Sequence, residues 1–233
     1  MRTLPTLILS AALAAPAPAA LAQSPAESIA SAYGVEHWDR IDRVDFTFHV
    51  ELPGGKVVDR DWSWEPEGSG GRVTLRPGTD EELSFHTSDA AEPGTDVFEA
   101  QKNFVNDSYW LAFPFQLVWS DPAVSEPVEA EAPISGDVTR KVTAAWPAAG
   151  GFTPGDAYDL FLSEDGRIVE WSFRRGGGEE GRPATWTHEQ TAAGVTFATE
   201  HAGPEGSGFV LSFPRLRVWA DGADEPTALR GDR

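Results

Sequence analysis

The residues of this chain that could carry out chemistry are histidines and carboxylates, and their spacing defines no reactive site. The five histidines lack the H-x-H and H-E-x-x-H spacings of metal centres; they are His37, His49, His86, His188 and His201. The chain has no cysteine, no G-x-S-x-G elbow and no S-x-x-K pair, so it has no recognisable nucleophile. None of the 37 carboxylates stands out as part of an acid and base pair. We therefore predict a protein that is not an enzyme and that binds neither a metal nor a cofactor.

Aromatic side chains are the remaining signal. Nine Trp and thirteen Phe occur beside a single Met, and tryptophan is hard to bury fully because its indole N–H needs a partner. The densest aromatic run is 103–119, in which Pro114 divides a segment with helical spacing from 115–119, which alternates like a strand. These rings either fill the space between a sheet and its helices or border a dry cavity for an acyl chain or another apolar ligand.

The predicted cavity lining combines strand residues that share one face with residues of the central run. The candidates are Phe46, Phe48, Trp62, Trp64, Trp110, Phe113, Phe115, Trp119, Trp171 and Trp186. Three more residues are predicted to be structural. Pro114 breaks the helix, and Asn106 and Asp107 tie it to neighbouring backbone, because a polar pair among rings needs partners when it is buried.

The first 22 residues have the pattern of a secretory signal peptide. Arg2 gives a positive start, 4–13 is apolar, and Ala20-Leu21-Ala22 forms a small-x-small cleavage site. We expect 23–220 to form one domain and 221–233 to be a polar C-terminal tail. The lack of cysteine in an exported protein favours a bacterial periplasm, with secretion to the medium as the alternative. No second apolar run is long enough to span a membrane, so no integral segment is expected after cleavage.

The chain is strongly acidic. Its net charge of −19 becomes −20 once 1–22 is removed, because Arg2 is the only charged residue in that segment. Nucleic acid and anionic membrane surfaces should repel such a protein, so neither is an expected partner, and we expect a monomer. The segment 120–136 is acidic and proline-rich, and it is predicted to be a long loop that either covers a site or has no function.

Alternation of apolar and polar residues predicts mostly antiparallel strands. The segment 44–52 alternates strictly, and Pro53-Gly54-Gly55 returns the chain into 57–64, which makes the pair a hairpin. Arg60 shares the phase of Trp62 and is expected at an exposed edge, or stacked on that ring at an opening. Helix signals begin at Ser24 and at Asp96. The predicted fold class is mainly β (α+β). We expect a single, strongly curved antiparallel sheet of about ten strands, half-barrel-like, with two helical stretches over its concave face.

Several of these features occur together in a known group of proteins. They are the signal peptide, a short helix ending near Tyr33-Gly34, the strand Asp45-Phe46-Thr47-Phe48, and a central helix through 106–111 to Phe113-Pro114-Phe115. In this order they resemble uncharacterised bacterial exported proteins that we associate with the lipoprotein-carrier (LolA-like) superfamily. The resemblance implies helices that act as a lid over an apolar cavity, used by the better-known members to carry acylated proteins or lipids through the periplasm.

The leading hypothesis is therefore a non-enzymatic periplasmic protein that binds a lipid or the acyl chain of a lipoprotein between sheet and helices. The alternative is a structural or partner-binding module with a filled aromatic core and no ligand. An unrecognised hydrolase is a third hypothesis, and it would need a buried cluster of histidine and carboxylate.

Overall fold

The computed structural model describes residues 23–149, 152 and 154–230, so the predicted signal peptide lies outside the described residues. The helices are α1 (Pro25–Ala32) and α2 (Asp96–Trp119), with short 3₁₀ helices at Val35–Arg40 and Arg175–Gly177. The strands are β1 (Ile41–Leu52), β2 (Lys56–Glu67), β3 (Gly70–Leu75), β4 (Leu83–His86), β5 (Ala123–Val124), β6 (Val128–Glu131), β7 (Val138–Ala145), β8 (Ala157–Leu162), β9 (Ile168–Arg174), β10 (Arg182–Thr185), β11 (Thr187–Ala192), β12 (Val195–Ala202), β13 (Val210–Ser212), β14 (Leu216–Ala220) and β15 (Thr227–Arg230). None of the helices described is long and apolar enough to cross a bilayer.

The β1–β2 hairpin is formed as predicted. Val44, Phe46, Phe48 and Val50 are buried in alternation along β1. Across the hairpin, Phe46 lies opposite Trp62. Strict alternation of apolar and polar residues predicted this strand correctly because one face of the strand packs on the core and the other faces water.

The strands pair antiparallel in two sheets, which corrects the predicted single sheet. Sheet 1 has nine strands in the order β11-β12-β13-β1-β2-β3-β4, with β14 on β1 and β15 on β14. Sheet 2 has six strands in the order β10-β9-β8-β7-β5, with β6 also on β7. The mainly β, antiparallel part of the prediction is confirmed. The single sheet is wrong because alternation within a strand does not reveal where its hydrogen-bonding partner changes.

A single residue connects a strand of sheet 2 to a strand of sheet 1. Trp186 alone separates β10, which pairs with β9, from β11, which pairs with β12. Its backbone N–H donates to the Val169 carbonyl oxygen at 2.8 Å, on the sheet 2 side. On the sheet 1 side, the Ala202 N–H donates to the Thr185 hydroxyl at 2.9 Å. A nearly continuous strand therefore passes from one sheet into the other.

Helix α1 begins with the predicted capping box. The Glu27 N–H donates to the Ser24 hydroxyl at 3.2 Å, and the Ser24 N–H donates to the Glu27 carboxylate at 2.8 Å. The helix ends before Gly34, whose φ of +82° lies in the left-handed region. A Cβ at this position would lie 2.0 Å from the Gly194 carbonyl oxygen, so the close approach of two backbones also requires glycine.

Helix α2 is longer than predicted, and it includes residues 115–119, which were predicted to be a strand. The predicted break is instead a kink, with non-helical angles at Ala112, two residues before Pro114. The proline has no N–H for the Trp110 carbonyl oxygen, so one helical hydrogen bond is missing there. The segment Leu111–Leu117 is buried on every side, and a helix of that kind has no polar face to reveal its period.

The predicted acidic loop and C-terminal tail also contain strands. The segment 120–136 contributes β5 and β6 to sheet 2, and its end is held by Glu170. That buried carboxylate accepts hydrogen bonds from the Ile134 and Ser135 N–H groups at 2.7 and 2.8 Å. Strand β15 lies within the predicted tail and pairs with β14.

Candidate functional site

Helix α2 contacts both sheets through its aromatic side chains. In its first half, Phe104 lies edge-on to Trp62 and Trp64 of sheet 1, with ring centroids 5.4 Å apart in each case. After the next two turns, Phe113 lies edge-on to Trp171 of sheet 2 at 5.0 Å. A single helix therefore covers the rings of two sheets.

The structure places the predicted lining residues in one continuous core. Eight of the ten are at most 3% exposed; they are Phe46, Phe48, Trp62, Trp64, Phe113, Phe115, Trp171 and Trp186. Trp110 and Trp119 are half-buried and pack against the same core. The rings contact one another closely, as Trp110 and Trp171 do at 4.3 Å between centroids. They are arranged as a filled interior rather than around an open space.

Two surface hollows in the described part of the chain lie away from these rings. One, of about 310 Å³, includes Arg43 and Trp219 in its wall. The other, of about 450 Å³, lies at the β9–β10 turn and includes Phe173 and Arg182. None of the ten predicted lining residues borders either hollow.

A buried ion pair fixes α2 to β2. The Arg60 guanidinium donates from Nε and Nη2 to the two oxygens of Asp107, each at 2.6 Å. The Asp107 side chain is fully buried, and Arg60 is 20% exposed. Trp62 Nε1 donates to the same carboxylate at 2.8 Å, and Asn106 Nδ2 at 3.0 Å. Asp107 therefore ties the helix to the sheet through side chains, whereas backbone partners were predicted.

Opposing effects act on the pKa of the Asp107 carboxyl. Burial raises the pKa of the Asp107 carboxyl, while the hydrogen bonds and charge of Arg60 act in the opposite direction. Such a pair adds little net stability compared with apolar residues of the same size, because desolvation offsets the attraction. The pair specifies the position of α2 on β2, because a buried carboxylate is stable only while its hydrogen-bond donors remain in contact with it.

His201 is the one fully buried histidine among the residues that the structure describes. Burial lowers its pKa to about 3, so the ring is neutral at pH 7. Its Nδ1 lies 3.2 Å from the Thr185 carbonyl oxygen, and the Trp110 backbone is a second hydrogen-bond acceptor for the ring. A neutral imidazole has one N–H, so it can donate to only one of the two. The ring packs 4.3 Å from Trp186 and 5.2 Å from Trp110. No group of three possible metal ligands occurs among the described residues.

The depressed pKa of His201 predicts a loss of stability in mild acid. Below the ordinary pKa of 6.5 the unfolded chain binds a proton that the folded protein does not, so stability falls with pH. Between pH 7 and pH 5 the free energy of unfolding should drop by about 2 kcal/mol from this residue. His49, whose pKa is raised mainly by Asp59, acts in the opposite direction.

Comparison with a His201→Phe variant isolates the effect, because His49 and the other histidines are present in both proteins. Urea unfolding at pH 5, 6 and 7 measures it. The wild-type protein should lose about 2 kcal/mol more than the variant over this range. Parallel pH profiles would show that His201 is able to take up a proton in the folded state.

Comparison with known proteins gives similarity in structure only. Neither a protein-family model nor a curated protein sequence matches the chain. Among solved structures, it is similar to a DUF1329 family protein from Desulfovibrio piger, with 12% identity and a TM-score of 0.47 over 87% of this chain and 96% of that one. It is similar to a putative outer membrane lipoprotein-sorting protein domain from Vibrio parahaemolyticus, with 11% identity and a TM-score of 0.43 over 85% and 95%.

A LolA superfamily protein from Nitrosomonas europaea is also similar, with 11% identity and a TM-score of 0.42 over 85% of this chain and 95% of that one. The solved structures that are similar to this chain thus include proteins described as LolA-like, the group that the sequence resembles. The function proposed below rests on the residues of this chain.

Sequence reasoning missed two parts of this site. The Arg60–Asp107 pair joins residues 47 positions apart, and the available signal was that Arg60 shares the phase of Trp62 and Trp64. An arginine that points inward among tryptophans needs a carboxylate partner. His201 was treated as an isolated residue. In the sequence of strand β12, His201 shares the phase of Val195 and Phe197, which could have indicated that it points into the core.

Proposed function

We propose that this chain is a non-enzymatic periplasmic binding protein for an apolar or acylated ligand, and that α2 closes its binding site in the conformation described here. Helix α2 would be the moving part. When it leaves the sheets, the rings now packed against Phe104 and Phe113 become the walls of a cavity. The ligand would be a lipid or the acyl chain of a modified protein.

The observation that carries this proposal is the way α2 is attached. Its contacts with both sheets include aromatic rings that pack without directional bonds, such as Phe104 and Phe113, and one buried ion pair, Arg60 with Asp107, fixes its position on β2. An acyl chain can replace ring contacts of this kind, because both are apolar. The kink at Ala112 supplies a point where the helix bends without losing a further hydrogen bond.

The energetics allow a modest affinity. Burying about 15 methylenes contributes about 12 kcal/mol. Association costs about 4 kcal/mol or more, and moving α2 costs more again. The remainder corresponds to dissociation constants between micromolar and millimolar, which suits a protein that must also release its ligand.

The second candidate is a module with a permanently filled core that binds partners through its surface. It is favoured by one observation, the exposure of at most 3% for eight of the ten predicted lining residues. In this case α2 would be a fixed layer of the core.

Ligand extraction and probe uptake separate the two candidates. The protein is purified from a periplasmic extract and analysed for lipids by mass spectrometry. Uptake of the neutral fluorescent probe N-phenyl-1-naphthylamine is then measured on the delipidated protein. A ligand-binding protein should take up the probe in a saturable manner. It should do so faster in the variant R60M/D107N, in which the ion pair is absent and the introduced amide can still accept a hydrogen bond from Trp62.

A matched control keeps the ion pair and removes an exposed one. Arg76→Met breaks the contact with Glu81 on the surface of sheet 1 and should leave uptake unchanged. A protein that carries no lipid and takes up no probe, even without the Arg60–Asp107 pair, would rule out ligand binding and leave the filled-core module.

A further inference from the structure

The indole nitrogens of the core fall into two groups. On the sheet 1 side, Trp62 Nε1 donates to Asp107 at 2.8 Å, and Trp64 Nε1 donates to the Gly70 carbonyl oxygen at 3.0 Å. On the sheet 2 side, Trp171 Nε1 and Trp186 Nε1 are buried and have no acceptor within the described part of the chain. Buried donors without acceptors are rare in native proteins because each is costly. The two groups differ in hydrogen bonding although both consist of buried tryptophans.

The two tryptophans with unpaired donors are neighbours. The rings of Trp171 and Trp186 are 5.1 Å apart between centroids, and Trp186 is 4.3 Å from His201. The rings that carry the two buried donors therefore lie in one small region of the core, beside His201.

This region lies under the half-buried part of the core. Trp110 covers it, with its ring 4.3 Å from Trp171 and 5.2 Å from His201. Phe209, also half-buried, lies 5.7 Å from Trp110 on the outer side. Movement of the α2 segment that carries Trp110 would open this region from the surface.

The nearby charges select a neutral ligand group. The buried carboxylates on this side of the core are Asp156 and Glu170, and burial, with a smaller effect of the Asp156 charge, raises the pKa of the neighbouring Tyr158 hydroxyl. Among the described residues, no cationic side chain contacts the rings of Trp171 or Trp186. An ionised carboxylate would therefore be disfavoured, whereas a neutral carbonyl oxygen can accept hydrogen bonds at no charge cost.

We propose that Trp171 and Trp186 form a subsite for the neutral carbonyl group at the polar end of an acyl chain, in an ester or an amide. The two indole N–H groups donate to the carbonyl oxygen. The inference rests on the proposed ligand-binding function and adds to it which end of the acyl chain is recognised, and by what chemistry.

Three probes of similar chain length test the subsite by displacement of N-phenyl-1-naphthylamine: methyl dodecanoate, tridecane and ionised dodecanoate. The wild-type protein should bind the ester about tenfold or more tightly than the alkane, and the anion more weakly than the ester. N-methyldodecanamide distinguishes the two sources of the carbonyl: an amide site should bind it more tightly than the ester, because an amide carbonyl oxygen is the stronger acceptor, whereas an ester site should bind it more weakly, because its N–H has no partner there.

The variant W171F/W186F removes both N–H groups and keeps two rings. It should lose the preference for ester over alkane while still binding the alkane. The single variant Trp186→Phe, which should lose part of the preference, serves if the double variant fails to fold. Trp38→Phe is the control, because its N–H already has an acceptor in the Gly68 carbonyl oxygen and it is not one of the proposed lining residues; it should keep the full preference.

The outcomes separate this inference from the function on which it rests. Equal affinity for ester and alkane in the wild-type protein, or an ester preference that survives in W171F/W186F, overturns the subsite while ligand binding stands. Failure of all four probes to bind overturns both.

Discussion

Replacing Arg60 with Met is expected to reduce the free energy of unfolding by about 3 kcal/mol. The substitution leaves the Asp107 carboxylate buried without its counter-charge, and removing one partner of a buried pair is far more costly than removing both. Asp107 can limit the loss by taking up a proton, because burial already raises its pKa. Urea unfolding at pH 7, followed by tryptophan fluorescence, measures the change.

The matched variants make this expectation specific. R60M/D107N should recover about 1 to 2 kcal/mol of the loss, because the neutral amide still accepts from Trp62 and needs no counter-charge. Arg76→Met, whose partner Glu81 is exposed, should change stability by less than about 1 kcal/mol. If Arg60→Met and Arg76→Met had equal effects, the Arg60–Asp107 pair would not fix the position of α2.

Replacing Phe113 with Ala should destabilise the protein by about 3 to 5 kcal/mol. The ring is completely buried and contacts Tyr158 at 4.7 Å and Trp171 at 5.0 Å, so its removal leaves a cavity in the centre of sheet 2's aromatic layer. Rigid aromatic neighbours on several sides limit how far the core can collapse into that space. Chemical denaturation again provides the measurement.

The same helix supplies two comparisons for Phe113. Phe98→Ala removes a half-buried ring near the start of α2 and should cost about 1 kcal/mol. Trp110→Ala should cost less than Phe113→Ala although it removes more atoms, because Trp110 is half-buried and its site opens towards solvent. A loss of less than about 1 kcal/mol for Phe113→Ala would mean that the ring borders open space, in agreement with a preformed cavity.

The parts of the fold that could be predicted from the sequence are those in which a local pattern decides the outcome. Strand β1 packs one face on the core, so Phe46 and Phe48 could be assigned to the interior from their spacing alone. The capping box at Ser24 is equally local. The second half of α2 could not be predicted, because it is buried on every side and its proline suggested an end where the helix only kinks.

Residues of the candidate site could be identified from the sequence, but the contacts between them could not. Trp171 and Trp186 were identified from strand phase, but their contact depends on the bend between two sheets, and no single strand encodes that bend. The partner of Asp107 depends likewise on how α2 lies across β2. The ion pair of Arg60 with Asp107 depends on the distance between α2 and β2, which no local sequence pattern encodes.

The junction at Trp186 restricts how this protein can move. One residue separates β10 from β11, so the two sheets are covalently connected at Trp186. The hydrogen bond from the Trp186 N–H to Val169 also holds this connection in place. Separating the sheets at this point would break this hydrogen bond and the one from Ala202 to Thr185. Helix α2 pairs with no strand, so its movement breaks no sheet hydrogen bond, and the binding function proposed above therefore requires the helix to move while both sheets stay in place.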